Sequence, residues 1–180
     1  MKALILTRQL EEYPELQEQM EEADMLKIAV NHSPCKADYR VFHDYNKWYE
    51  YNKEKYTKRG EKLVTVYGGL LVMPEYIWMY YKPLGYPSFC NDKNEVIKDH
   101  KKGGVQELYF DSGSIIPAID LATRLGAGEI LIFADNTVYN TEFKERIIKA
   151  ILKLKDFSDL YCFKEDNNFN LPYKSFSAFK

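Results

Sequence analysis

The stretch ELYFDSGS (107–114), IIPAIDLATRLGAG (115–128), EILIFADNTVYN (129–140) decides the fold. Leu108 to Phe110 is a short apolar run ending in Asp111, and small polar residues follow at Ser112, Gly113 and Ser114. Ile115, Ile116, Ile119, Ala122 and Leu125 keep helical spacing, with Asp120, Thr123 and Arg124 on the opposite side. Gly126 is the expected stop, because glycine takes the left-handed position after a helix without steric cost. Glu129 to Ala134 is nearly continuous in apolar residues, as a strand covered on both faces should be. Strand, helix and strand in that order predict an α/β domain of Rossmann-like, three-layer type around a mainly parallel sheet.

The rest of the chain extends this pattern. Ala3–Leu6 reads as a buried-type strand, Lys27–Val30, Tyr39–Phe42 and Leu63–Tyr67 as further strands, and Asp159–Phe163 as the last one. Leu16, Met20 and Ala23 mark an acidic helix with Pro14 near its start, where the missing N–H costs nothing. Tyr45, Trp48, Tyr49, Asn52 and Tyr56 lie on one helical face with lysines between them. Phe143, Ile147, Ile148, Ile151 and Leu154 mark another helix. Leu70–Tyr81 is apolar and aromatic, a helix against the sheet or part of an interface. Residues 82–104 read as an irregular insertion with a short strand near Val96 and Ile97, the kind of segment that often forms a lid or binding loop. The domain thus spans 1–163, and 164–180 is a C-terminal aromatic arm. Phe169, Tyr173, Phe176 and Phe179 in that arm are expected to dock on this subunit or on a neighbour, which makes a homo-oligomer through the tail one expectation.

With 180 residues the chain fits one domain, since domains cluster at roughly 100–200 residues. A hydrophobic fraction of 46% suffices for a core. Lys plus Arg total 25 against 27 Asp plus Glu, and a net charge of −2 supplies no global field to collect nucleic acid. Lysines interleaved with the aromatics of 45–59 would suit a single strand, but Glu50 and Glu54 in the same segment oppose it. Fifteen tyrosines point to a large interface or ligand cleft, or to a tyrosine-rich core. Cys35, Cys90 and Cys162 form neither a disulfide framework nor a paired zinc motif. The N-terminal apolar run is too short for a signal peptide, and no run approaches the ~18 apolar residues of a membrane span. The expected setting is soluble and cytoplasmic.

In an open parallel sheet, ligands bind outside the carboxyl ends of the strands. Here those ends carry Thr7 and Arg8, Asn31 and His32, His43 and Asp44, Gly68 and Gly69, Asp111 to Ser114, and Asp135 and Asn136. Ser112, Gly113 and Ser114 stand where a helix begins, so unpaired backbone N–H groups and the helix dipole favour an anion there. Helix capping by Ser112 or Ser114 is the alternative. Asp111 would repel a phosphate unless Arg8 or a metal compensates. His32 and His43 are candidate acid–base groups. Asp44, Asp111 and Asp135 have the oxygen chemistry to share a divalent cation, whereas His32 with Cys35 lacks the further ligands zinc needs. No P-loop and no Gly-x-Gly-x-x-Gly occurs.

The phrases YFDSGS and LGAGEILIFADNTVY, with Ala29-Val30-Asn31, resemble the bacterial sialyltransferases of glycosyltransferase family 42 and the related motility accessory factor proteins. The resemblance runs in order through most of residues 1–163. It implies a cytidine-type nucleotide sugar as substrate, facing Asn31, Ser112 and Gly113, with Asp135 and Tyr139 near its sugar or phosphate. Two positions depart from the family pattern. The first strand ends in Thr7-Arg8-Gln9 where the family has Gly-x-Gly, and no histidine follows His100, so the family's catalytic histidine has no counterpart. His32 and Asp111 are then the nearest candidates for a general base. The competing expectation is a non-catalytic relative that acts in assembly through its tyrosine-rich surface.

Overall fold

Runs such as Ala-Leu-Ile-Leu and Ile-Leu-Ile-Phe form buried strands, and they lie side by side in the sheet. The computed structural model describes residues 1–42, 47–66, 77–81, 89–91, 114–134 and 141–180. In chain order these hold β1 (Lys2–Leu6), a 3-10 turn (Arg8–Glu12), α1 (Pro14–Glu22), β2 (Leu26–Val30) and β3 (Tyr39–Phe42). Next come α2 (Lys47–Lys58), β4 (Lys62–Val66), β5 (Ile77–Tyr81) and β6 (Phe89–Asn91). The chain closes with α3 (Ile115–Arg124), β7 (Glu129–Phe133), α4 (Thr141–Leu154), β8 (Asp159–Cys162) and α5 (Phe176–Phe179). Among the described residues the strands form one sheet of order β6-β5-β4-β3-β2-β1-β7-β8. Every pairing is parallel except that of β6, which lies antiparallel on β5 at the edge. The order reverses between β1 and β7.

Alternate residues of each strand feed two cores, as the two-residue period requires. Ala3, Ile5, Ile28, Val30, Ile130 and Ile132 pack on one side against α3 and α4. Leu4, Leu6, Leu131 and Phe133 pack on the other against Leu10 of the 3-10 turn, Met20 of α1, and Phe176 and Phe179. This is the expected three-layer α/β arrangement. Gly126 takes a positive φ of 96°. Its N–H reaches the Thr123 carbonyl at 3.0 Å, and Ala127 N reaches Ala122 O at 3.0 Å. Those two bonds are the Schellman closure, and they deliver the chain from α3 into β7 within a few residues.

Several expectations need correction. Ile77–Tyr81, within the segment read as a helix or interface, is a parallel strand. Phe89–Asn91, inside the supposed irregular insertion, is a strand as well. The polar side of α3, whose exposure the spacing left open, is buried too. Asp120 and Arg124 are buried, and Arg124 Nε donates to Asp120 Oδ2 at 3.0 Å across one helical turn. The two charges neutralise one another, which is how an ion pair survives burial. The expected strands at 96–97 and 108–110 lie outside the described residues.

The aromatic arm docks on its own subunit. Phe169 and Leu171 enter the core of the α3 side, and Phe176 and Phe179 enter the core of the opposite side. Between them the arm runs along the free edge of β8, where Cys162 N donates to Pro172 O at 2.9 Å and Lys174 N donates to Cys162 O at 3.0 Å. Lys174 also bonds Glu129 at 3.0 Å. The arm therefore covers an otherwise exposed sheet edge, and of its four aromatics only Tyr173 is exposed, at 48%.

A helixless crossover fixes the residues beside the site. Parallel strands are normally joined through a helix, because a return of a dozen residues or more is needed and its backbone must find partners. The β2–β3 return uses residues 31–38 alone. Its carbonyls are satisfied from below by Arg40 of β3, which is fully buried. Arg40 Nη1 donates to Asn31 O at 2.7 Å and Ser33 O at 3.0 Å, and Nη2 donates to Cys35 O at 2.9 Å. The remaining donors go to Glu61, at 2.5 Å from Nε and 3.2 Å from Nη2. All five N–H donors of the guanidinium are thus used. The Tyr56 ring of α2 closes over it, 3.8 Å from guanidinium carbon to ring centroid.

The docked arm generates a stability prediction. Replacing Phe179 with alanine should cost about 3 kcal/mol or more, the usual penalty for emptying a buried phenylalanine site. Urea denaturation should show the loss as a lower midpoint with little change of slope, and light scattering should show an unchanged mass. A stability within about 0.5 kcal/mol of wild type, the range of ordinary surface changes, would mean the arm is not packed as described.

Candidate functional site

The loops that end β1 and β2 meet α2 around an open groove of about 570 Å³. Arg8 and Glu11 of the 3-10 turn form one wall, His32, Ser33 and Pro34 of the crossover form the floor, and Asn52, Lys55, Tyr56 and Arg59 form the other wall. The last four recur at helical spacing on one side of α2 and its end. Arg8 and His32 follow the carboxyl ends of their strands, so the groove opens at the carboxyl edge. It then runs back along α2, which must descend from the end of β3 to the start of β4. Its size is that of a small-molecule site.

Arg40 sets the shape of the floor. The three carbonyls it holds belong to Asn31, Ser33 and Cys35, flanking His32 and Pro34. Arg59 takes the Pro34 carbonyl at 3.3 Å, and Glu21 of α1 accepts Lys36 N at 2.8 Å. Asn31 has φ of 49°, a left-handed conformation that asparagine tolerates better than other side-chain-bearing residues. That turn lets neighbouring side chains diverge. Asn31 Oδ1 accepts the Ser114 hydroxyl at 2.8 Å at the start of α3, while His32 lines the groove.

The charges are unevenly compensated. Arg59 stands 3.4 Å from Glu61 and 3.9 Å from Glu21. Arg8 pairs with Glu11 at 3.4 Å, but its side chain is 74% exposed, so that pair is weak. Lys55 makes no ion pair among the described residues, and its ammonium stands 6.0 Å from the Tyr56 ring centre. The His32 imidazole is held below its ordinary 6.5 by partial burial first, then by the positive charges of Arg8 and Arg40, against a smaller opposing effect of Glu11. Cys35, under the same loop, has its thiol pushed up to about 12, mainly by burial and then by Glu21. It is a protonated core group, not a nucleophile or a partner to His32.

The structure brings only part of the expected site together. Arg8 and His32 share the groove. Thr7 is a tie across the reversal of strand order, its hydroxyl donating to the Phe133 carbonyl of β7 and lying 3.1 Å from Gln9 Oε1. Asn31 and Ser114 tie β2 to α3. Ser114 makes no side-chain capping bond, so helix capping, the alternative for that residue, does not apply. Beside Thr7 the space is taken by Phe163, stacked on Phe133 at 4.3 Å with Tyr13 edge-on at 5.7 Å. The gap left there is about 10 Å³, room for about one water. Asp111, Ser112, Gly113, Asp135, Asn136 and Tyr139 lie outside the described residues, as do His43, Asp44, Gly68 and Gly69. No cluster of metal-ligating side chains occurs among the described residues. No helix among them is long and apolar enough to cross a membrane.

Sequence reasoning passed over Glu11, and it read Lys55 and Arg59 only as cations suited to a nucleic-acid strand, not as part of a groove with Arg8 and His32. The signal present was the 52, 55, 56, 59 spacing, which puts two cations and a tyrosine on one side of α2. Comparison with protein-family models, with curated proteins and with solved structures gives no match in any of the three. The site is therefore read from its own chemistry.

The electrostatics of His32 can be tested directly. The fold favours the neutral imidazole, so the unfolded chain binds the proton first. His32 should titrate below 6.5 in the native protein. Its contribution to stability should be intact above that value and lost as pH falls through the lower folded midpoint. Arg8→Ala removes one of the charges opposing protonation, so the NMR midpoint of His32 should move up. A midpoint unchanged or lower in that variant would place Arg8 away from the imidazole.

Proposed function

We propose that this chain binds a nucleotide or nucleotide sugar at the carboxyl edge of its sheet and acts as a glycosyltransferase-like enzyme, with His32 as general base. The supporting observation is the open groove of about 570 Å³ entered at Arg8 and His32, where a ligand of an open parallel sheet belongs. Its floor is held in place by Arg40, so a ligand meets preformed polar groups. A neutral imidazole is the state needed to accept a proton from an acceptor hydroxyl near neutral pH. In the same reading Asn31 and Ser114 hold the start of α3 against the end of β2, and Ser112, Gly113, Asp135 and Tyr139 are further residues that the sialyltransferase resemblance assigns to the nucleotide sugar. Asp111 is the second candidate base.

Isothermal titration with cytidine nucleotides, with and without a divalent cation, tests this reading. Binding in the range 1 µM–1 mM, typical of enzyme substrates, is expected. The variant His32→Asn should retain most of that binding and lose transfer activity. Absence of any heat with cytidine, uridine or adenosine nucleotides at millimolar concentration would end the proposal.

A further inference from the structure

We propose that the groove along α2 holds the phosphate of a phosphate-ester ligand between Lys55 of α2 and Arg8 of the 3-10 turn, with His32 beneath it. The inference rests on the nucleotide reading only for the organic part of the ligand. The anion seat stands on its own observations.

Charge comes first. Three cations and one carboxylate line the groove. Arg59 is compensated by Glu21 and Glu61, whereas Lys55 has no ion-pair partner among the described residues and the Arg8–Glu11 pair is open to solvent. A dianion entering the groove therefore meets uncompensated positive charge on α2 and a guanidinium that can exchange a weak partner for a stronger one.

The floor would ordinarily oppose an anion, because an extended crossover presents carbonyl oxygens. Here the carbonyls of Asn31, Ser33 and Cys35 are turned down onto Arg40, and that of Pro34 onto Arg59. Four of the loop's carbonyls are thus engaged by guanidinium donors, and His32 lines the groove. The same guanidinium that closes the crossover thus removes the repulsion a phosphate would meet. A volume of about 570 Å³ is several times what a phosphate alone occupies, which leaves room for the organic part of a phosphate ester.

Protonation gives an independent signature. His32 is faced by Arg8 and Glu11 from the 3-10 turn and by Arg40 from β3, while Lys55 and Arg59 share the groove from α2. A bound phosphate adds negative charge beside it, so the imidazole must bind its proton more tightly in the complex. Occupancy elsewhere in the fold would leave its titration unmoved.

The experiment titrates the full chain with inorganic pyrophosphate, cytidine monophosphate and cytidine, for wild type, Lys55→Ala, Arg8→Ala and the double variant, and follows His32 by NMR. Wild type should bind the two phosphate compounds, each single variant should weaken them about tenfold, and the His32 midpoint should rise on saturation. Far-UV circular dichroism should match wild type for both variants, since both side chains lie on the surface. If cytidine monophosphate binds equally well to wild type and double variant, the groove is not the phosphate seat, while the nucleotide reading survives. If pyrophosphate binds with Lys55 dependence and cytidine monophosphate does not bind, the anion seat stands and the nucleotide reading falls. If neither binds at millimolar concentration, both are overturned.

Discussion

A single buried guanidinium sets the geometry of this protein's carboxyl edge. Arg40 lies under a crossover too short for a helix and supplies, from one side chain, the donors that a helix would have supplied from its own backbone. Glu61 balances the charge and Tyr56 covers the remaining surface, so the group is neutralised, hydrogen-bonded and shielded together. Each condition matters, because an uncompensated charge or an unpaired carbonyl at this depth costs several kcal/mol. The arrangement joins three pieces of chain that are distant in sequence: β3, the 31–38 return, and the residues between α2 and β4.

That constraint passes directly into the candidate site. The crossover is the floor of the groove, and His32 stands between two residues whose carbonyls are pinned. Arg59 extends the same network, linking Pro34, Glu21 and Glu61 across α1, the crossover and the end of α2. A groove built on such a network is preorganised, so little ordering is left to oppose ligand binding. The aromatic neighbourhood at the reversal of strand order works the other way. Among the described residues Phe133, Phe163 and Tyr13 fill the space beside that boundary, and the open groove lies on the β1–β2 side.

The sheet was legible because parallel strands buried on both faces leave continuous apolar runs, and Gly126 marked the end of α3 for a reason local to one residue. The buried arginine was not legible. In Tyr-Arg-Val-Phe, alternation puts Arg40 on the face opposite Tyr39 and Val41, and nothing in the sequence says which side of the sheet the following helix covers. The available clue was the length of the return, eight residues between two parallel strands. The burial of Asp120 and Arg124 was equally illegible, since polarity at helical spacing cannot distinguish a solvated stripe from an internal ion pair. Of the candidate site, Arg8 and His32 came from the rule about strand ends. Lys55 and Arg59 belong to a helix flank, and only the packing of α2 over the crossover brings them to the same groove.

Arg40 serves the crossover's carbonyls and not merely Glu61. Urea denaturation of wild type, Arg40→Met, Glu61→Leu and the double variant separates the two roles. The single Arg40→Met change should cost about 3–5 kcal/mol, as for other broken buried pairs. Adding Glu61→Leu should restore only part of this, leaving a deficit of about 2 kcal/mol or more from the orphaned carbonyls. A double variant as stable as wild type would show that the guanidinium does no more than neutralise Glu61, and would contradict the account.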